Sequence, residues 1–454
     1  MKNRLLKNTI IIAIGTFCTK IISFIMIPIY TYWLNPSQFG QFDLLNSYLS
    51  LAVPIITLEL QQVVFKWSLT KKYNSKQILM NSLIISLINI IFVDLFCIIF
   101  LRNKLYIFPF VLYFDSYAIF VLLSEYLRGN SKLIKYSLYN IFVSVFTIIL
   151  SFIFVLMFNM NVNGLLFSYG FSYFLVNIFI VFFENILIRP KLLKKKIIKE
   201  MTAFSIPLIP NSISWWITNV SDRTIIKFFI GDFYNGLYAV GCKIPTMISL
   251  IYSIFNLSWQ QEAILSFDNK DRNDKYNNIF DQLINFMFGM SFIVITFLPI
   301  FFFKFIDKNY SSAITLTPIL ILGSIFLSFS QFLGSILLAL NETKKIGSTT
   351  VVAAVINLII NLIFMKKFGL IVAGISTLLA YLFFFISRFF ILKDVFMKKN
   401  LYKILLLVIV YFLLYFTVIK ISNSLLYLFV IILIVVLAII MNRYTLNLIF
   451  KKKK

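Results

Sequence analysis

The sequence predicts an all-α polytopic membrane protein of about fourteen transmembrane helices, arranged as two six-helix lobes with an extra C-terminal helix pair. Composition is the first sign: 60% of the 454 residues are hydrophobic, 13% are charged, and mean hydropathy is +0.93, a balance far from that of soluble domains. Run length is the second. Apolar stretches of about 20 residues, each enough to cross a ~30 Å hydrocarbon core as a helix, follow one another from Thr9 almost to the C-terminus. No alternating segments of the kind a β-barrel needs interrupt them, so the spans are helices.

The third sign is the placement of positive charge. Splitting at charged and turn-rich stretches puts helix starts near residues 9, 40, 78, 106, 136, 161, 202, 234, 275, 313, 347, 369, 404 and 424. With the N-terminus inside, 30 of the 42 basic residues fall in cytoplasmic segments and 7 in outside loops. Cytoplasmic loops collect Lys and Arg, and a wrong span count would scramble that alternation. Both termini are therefore expected in the cytoplasm, with a multi-pass chain in the inner membrane. The net charge of +25 is then mostly topology, and "RPKLLKKKIIKE" and the terminal "KKKK" suit anionic lipid headgroups rather than nucleic acid. The basic start and apolar stretch of "MKNRLLKNTIIIAIGTFCTKIISFIM" resemble a signal peptide, but Lys20 interrupts the stretch and no small-residue cleavage site follows. It reads as an uncleaved first span.

Catalytic and metal chemistry find little support. There is no histidine, which removes the usual zinc ligand, general base and proton shuttle. Cys18, Cys97 and Cys242 lie in apolar runs with no metal or disulfide spacing and read as packing residues. No cofactor is expected.

The basic loop 189–199 divides the chain after six helices, giving lobes at 1–200 and 201–395 and a helix pair with a basic tail at 396–454. The halves resemble each other. "LNPSQFGQF" (34–42) lies against "IGDFYNGLY" (230–238), "LELQQ" (58–62) against "LSWQQ" (257–261), "NSKLIK" (130–135) against "ETKKIG" (342–347), and "VNGLL" (162–166) against "VAGIS" (372–376). Each match is short, yet their order is preserved. Six helices per half makes the repeat parallel, a transporter architecture in which substrate binds between the halves near the midplane.

Five basic residues lie within spans: Lys20, Arg223, Lys227, Lys243 and Arg388. Lys227 and Arg388, near helix ends, read as snorkelling to the interface. A cation at a lipid-facing helix centre costs roughly 2.5–3.5 kcal/mol on insertion scales, so Lys20, Arg223 and Lys243 are expected to face a cavity or a partner. On a helical wheel of the seventh span, Asn211, Ser214, Thr218 and Asp222 form one stripe, and Ser212, Trp216, Asn219, Arg223 and Lys227 the next. In the first span Thr16, Thr19, Lys20 and Ser23 share a face. These stripes read either as helix glue or as a cationic cavity for an anionic ligand such as pyrophosphate. Trp215, Trp216, Trp259, Tyr238 and Tyr252 offer faces for sugars. Pro28, Pro207, Pro210 and Pro245 offer kinks. Acids within spans include Glu59, Asp94, Asp115, Glu125, Glu184, Asp222 and Glu262. Glu59 and Asp222 are the candidates for ion coupling, and solvation at helix ends suffices for Glu125 and Glu262. Asp222 could instead pair with Arg223.

"DRTIIKFFIGDFYNGLYAVGCKIP" (222–245) resembles the Asp-Arg, Gly, Gly-x-Tyr, Lys-Ile pattern of the Wzx-type polysaccharide-transport flippases, in the multidrug/oligosaccharidyl-lipid/polysaccharide exporter (MATE-like) superfamily. "FSIPLIPNSISWW" (204–216) and "PIYTYWLNPSQFGQFDL" (28–44) are similar to it too, and the resemblance covers essentially the whole chain. It implies a protein, not an enzyme, that moves undecaprenyl-pyrophosphate-linked oligosaccharide units across the cytoplasmic membrane for capsule, O-antigen of lipopolysaccharide, or a related polymer. It implies alternating access, a cationic cavity and an ion gradient. Asp222, Arg223 and Lys243 match the pattern, and the substrate-binding set becomes Lys20, Trp216, Asn219, Arg223 and Lys243. Asn35 stands where a glycine is common and Tyr32 where a basic residue is frequent, so no cation is expected there. Partners are the lipid-linked oligosaccharide, membrane lipid, and the polymerase and other pathway components. The alternatives are a lipid II flippase or multidrug exporter of the same superfamily, and, from another class, a membrane polysaccharide polymerase, which the short outside loops disfavour. In a cysteine-accessibility scan, positions 35–38 are expected to label from outside and 191–196 only from inside; the reverse would overturn the orientation.

Overall fold

The computed structural model describes residues 2–100, 106–186, 193–266, 271–340, 342–396, 398–421 and 424–443. The expected lipid-facing segments 189–192 and 451–454 lie outside the described residues, as do the side chains of Thr16, Asn211, Ser214, Trp215, Thr218 and Asn219. Every regular element among the described residues is helical: α1 (Lys2–Trp33), α2 (Pro36–Ile56), α3 (Leu60–Leu69), α4 (Ser75–Phe100), α5 (Ile107–Gly129), α6 (Leu133–Ser151), α7 (Asn161–Phe183), α8 (Lys195–Ser205), α9 (Ile209–Ile230), α10 (Asp232–Gly241), α11 (Lys243–Leu265), α12 (Arg272–Ile300), α13 (Thr317–Ala339), α14 (Thr343–Phe368), α15 (Ile371–Ile391), α16 (Lys398–Lys420) and α17 (Ser424–Met441).

Each of the fourteen expected spans coincides with one of these helices or with a consecutive pair, α2 with α3 and α10 with α11. By length and composition ten spans qualify to cross a membrane, or eleven with α2 and α3 taken as one bent span. The described parts of α1 and α17 are shorter apolar helices, and α9 carries the polar stripes. One boundary moves. The seventh span starts at Ile209 rather than near 202, because residues 195–205 form the separate helix α8 and a 3-10 turn at Ile206–Leu208 carries Pro207. Helix α8 is amphipathic: Ile197 and Met201 are buried against α3 and α4 while its lysines stay out. Pro28 sits inside α1, whereas Pro245 falls in the first turn of α11, where a missing N–H costs no helical bond.

The chain divides into two compact units, residues 1–224 and 225–454. In the first, α7 packs on α5 and α6, and α3 packs on α5; in the second, α15 packs on α13 and α14, and α11 on α13. The packing scheme repeats with the sequence. The matched glycines have a reason: a Cβ on Gly164 would lie 3.0 Å from the backbone of Phe154, and one on Gly374 would lie 2.5 Å from Leu316. The α1–α2 and α9–α10 joints solve one problem in two ways. Asn35 accepts from the N–H of Gln38 at 2.9 Å while Gln38 accepts from the N–H of Asn35 at 3.1 Å, a capping box followed by Pro36 at the first helical position. At the equivalent joint Gly231 turns with φ +96°, open only to glycine. Helices α16 and α17 belong to the second unit and pack on α12, where Lys403 reaches Asp281 at 2.5 Å.

Arg388 departs from the snorkelling expectation. It is 3% exposed, and its guanidinium donates to the carbonyls of Ser330 (2.8 Å) and Ile346 (3.3 Å) and to the hydroxyls of Thr349 (3.2 Å) and Thr350 (3.3 Å). Gly334 makes room for it. The side chain bolts α13, α14 and α15 together with neutral acceptors. Lys227 is half-exposed and pairs with Asp232 at 3.3 Å.

At the end of α7, Glu184 accepts from both Lys132 and Lys135 of the repeated "NSKLIK" segment. Burial pushes its carboxyl up, but hydrogen bonds and charge from the two lysines outweigh that and hold it below the ordinary 4.5. A depressed carboxylate pKa contributes stability that is present above the ordinary value and lost as pH falls through the lowered one. Glu184→Gln is expected to cost about 1 kcal/mol in detergent at pH 7, because water screens the half-exposed lysines. The gap between wild type and variant melting temperatures should close as the pH is taken below 4.5.

Candidate functional site

The polar features of the first unit gather at two places, a break in the second span and a cavity beside α1. Helix α2 carries Pro54 and stops at Ile56, and α3 leaves at 63° to it. Leu58 (φ 49°) and Glu59 (φ 55°) are both left-handed at the corner, a strain of order 1–3 kcal/mol per residue that the surroundings must hold. They do so with hydrogen bonds. Asn89 of α4 donates to the freed carbonyl of Ile56 at 2.8 Å, and Thr57 lies 2.6 Å from Gln61 Oε1. Glu59 is 3% exposed, and it accepts from Gln61 Nε2 at 2.7 Å and from the Ser212 hydroxyl of α9. No cation pairs with it among the described residues.

Residues 209–224 of α9 belong to the same unit, and the expected stripe on that helix meets α2 and α3. Ser212 reaches Glu59, the Trp216 indole N–H donates to the Ser47 carbonyl at 3.0 Å, and Arg223 Nε lies 2.6 Å from Asp43 Oδ2. The Trp216 ring tilts against Tyr48, with centroids 6.2 Å apart. The stripe is thus engaged as a polar seam, and its arginine is neutralised by a carboxylate. Asp222, one residue earlier, is 4% exposed on the neighbouring face.

Lys20 lies elsewhere in the unit. Among the described residues it is the only charged side chain lining a cavity of about 270 Å³ between α1, α6 and α7, with Thr19, Ser23, Tyr30, Asn140 and Tyr169 around it. Its volume sits just below the ~300–1,000 Å³ of ordinary ligand pockets. Tyr30 also contacts Ser151 at 3.2 Å. The expected face Thr19, Lys20, Ser23 is therefore the cavity wall.

Lys243 opens α11 in the second unit and is half-buried. Trp259 and Tyr252 have lost their free faces: Trp259 stacks on Phe332 at 4.1 Å and 6°, and both are buried. Of the expected set, then, Glu59, Trp216 and Arg223 share the α9 seam, Lys20 has a cavity of its own, and Lys243 is in the other unit. The Asn219 side chain lies outside the described residues. Sequence reasoning missed Asp43, although it ends the stretch "PSQFGQFD" singled out for the resemblance, and missed Asn89, a lone amide in an apolar run.

The chain is thus a multi-pass membrane protein whose broken span and polar cavity carry ionisable groups. Residues 5–259 match the family model described as "Polysaccharide biosynthesis protein", more than half of the chain, and the protein belongs to that family. An uncharacterized membrane protein of Methanocaldococcus jannaschii, MJ1068, is 26% identical over 266 residues, 54% of this chain and 51% of that protein. The chain thus spans about half the length of that curated relative. Among solved structures, the lipid II flippase MurJ in an inward closed conformation is similar over 96% of this chain and 100% of its own, with TM-score 0.73 and 16% identity. An inward-facing multidrug resistance MATE family transporter matches over 86% of this chain and 95% of its own, with TM-score 0.64 and 13% identity. A Vibrio cholerae MATE transporter, VcmN, matches over 86% and 97%, with TM-score 0.58 and 11% identity. At these identities the likeness is one of fold.

The Asp43–Arg223 pair has a measurable coupling. Asp43→Asn or Arg223→Gln alone leaves a largely buried charge without its partner and is expected to cost about 3 kcal/mol. The double variant is expected to be more stable than the sum of the single costs by at least 1 kcal/mol in thermal unfolding; strict additivity would show that the pair does not interact.

Proposed function

We propose that this protein is a flippase that moves undecaprenyl-pyrophosphate-linked oligosaccharide repeat units across the cytoplasmic membrane, supplying capsule, O-antigen or a related surface polysaccharide. The observation that carries the reading is Lys20, a cation on the wall of a polar cavity in a membrane fold, in a chain of the polysaccharide biosynthesis family. An ammonium set among hydroxyls and amides on a cavity wall attracts a phosphate, and it offsets part of the anion's cost of leaving water. The likeness to a solved lipid II flippase supports the same substrate class.

Arg223 supplies the second cation. Its guanidinium is engaged by Asp43 at rest, and a pyrophosphate oxygen can replace that carboxylate without leaving the arginine unpaired. Trp216 and Asn219 flank it along α9, and Lys243 is the cationic group assigned to the second unit. Transport proceeds by alternating access, driven by an ion gradient that acts on Glu59 and Asp222, carboxylates placed where lipid would not tolerate them. The lipid tail stays in the bilayer throughout. The protein works in the inner membrane with both termini in the cytoplasm, alongside the polymerase that consumes its product, and catalyses no covalent step.

A lipid II flippase is the second reading, favoured by the full-length match to that fold. Lys20→Gln and Arg223→Gln, at wild type membrane abundance, are expected to lower surface polymer about tenfold or more, the loss of one charge-assisted hydrogen bond to the carrier. Lipid-linked repeat units should accumulate on the cytoplasmic leaflet. Unchanged polymer in both variants would sink the proposal, and a block confined to peptidoglycan precursors would favour the second reading.

A further inference from the structure

Two acids named in the sequence take no part in the seam or the Lys20 cavity. Asp94 lies on α4 and Asp115 on α5, adjacent packed helices that run antiparallel. Asp94 continues the stripe of Leu87 and Ile90, the α4 face that shares a cavity wall with Asp115. Each has one carboxylate oxygen that is buried and accepts no hydrogen bond. Leu87, Ile90, Asp115 and Asn177 line a second cavity, of about 740 Å³, between α4, α5 and α7, which extends along α7 to Asn185 just beyond its end.

Asn177 adds an independent sign. It is 7% exposed, its amide N–H donates to the Ser116 carbonyl at 2.8 Å, and its Oδ1 is buried with no partner. Three oxygen acceptors on one cluster of helices therefore lack a donor. A buried polar group left in that state costs roughly 1–3 kcal/mol, and two like charges together cost more. A proton on one carboxylate removes the repulsion and creates the missing O–H donor.

The charged groups on the surrounding elements are committed elsewhere. Asp43 of α2 is bound to Arg223, Glu59 to Ser212 and Gln61, and Lys66 of α3 lies over the Phe204 ring. Glu125 and Arg128 pair within α5, Glu184 holds Lys132 and Lys135 of α6, Glu200 of α8 holds Lys72, and Lys76 of α4 reaches the Asn185 carbonyl. Tyr113, Tyr117, Tyr169 and Tyr173 contact one another along α5 and α7. Neither Asp94 nor Asp115 has an ion-pair partner among the described residues.

We infer that Asp94 and Asp115 form a proton-binding site, one proton held by the pair and exchanged through the α4–α5–α7 cavity. The rest of the cavity wall is mostly apolar, with little to replace the hydration shell of a sodium ion, which favours a proton. A coupling role for this site rests on the transport reading above; the bound proton does not.

The test is infrared spectroscopy of the purified wild type protein, titrated with and without sodium and compared with Asp94→Asn/Asp115→Asn. At pH 7 the wild type is expected to show one more protonated carboxyl per chain than the double variant, unchanged by sodium. Each single variant should lose its carboxylic-acid band at lower pH than the wild type, because the repelling neighbour is gone. A wild type spectrum with no carboxylic acid persisting above the ordinary carboxylate range would overturn the inference, even if no variant folds. So would a band that sodium abolishes, which would make this a sodium site, or one that survives in the double variant. None of these readings involves substrate, so a failed flippase reading leaves the outcome intact.

Discussion

The hydrogen bonding of the backbone in a medium without water is the constraint on which the rest of the structure depends. In hydrocarbon every N–H and C=O must find a protein partner, so a span can break only where side chains replace the helix. The α2–α3 corner shows what that requires. Two left-handed residues, an amide from α4 on the Ile56 carbonyl, and a Thr–Gln–Glu chain of hydrogen bonds together hold a 63° bend. Polar residues in this chain are thus placed by the backbone's needs first. Function is built on what those residues leave exposed.

The same constraint accounts for the form of the repeat. Each unit needs a turn between its first two helices that caps the second without orphaning donors. One unit does so with the Asn35–Gln38 capping box and the other with the positive φ of Gly231. The departure of Asn35 from a common glycine is therefore a change of device at constant geometry. Where backbones must approach closely the residue type is constrained instead, as at Gly164 against Phe154.

Much of this was legible in the sequence, for physical reasons that can be named. The helical membrane fold followed from hydropathy and basic loops, and each expected span meets a helix or a consecutive pair. The α9 stripe of Ser212, Trp216 and Arg223 followed from helical periodicity, and each of these residues does make a polar contact. What each contact meets was not legible. Asp43 and Ser47 lie some 180 residues away in the chain, and a single sequence carries no signal for such pairing. Nor did periodicity separate Arg388 from a snorkelling arginine, because nearness to a helix end says nothing about which way the side chain folds back.

Arg388 and Arg223 together show how one residue type serves two ends within a bilayer. Arg388 is surrounded by carbonyl and hydroxyl oxygens contributed by α13 and α14. Displacing any of them would orphan a backbone group or separate two helices, so no ligand gains by competing. Arg223 is bound instead by the side-chain carboxylate of Asp43. A doubly charged phosphate can take over that role, because the guanidinium stays paired and Asp43 can turn away or accept a proton. The cost of exchange is then the difference between two ion pairs rather than the full desolvation of a charge. A site that must bind an anion and release it again needs that small difference; on the proposed flippase reading Arg223 provides it, whereas the acceptors around Arg388 prevent it.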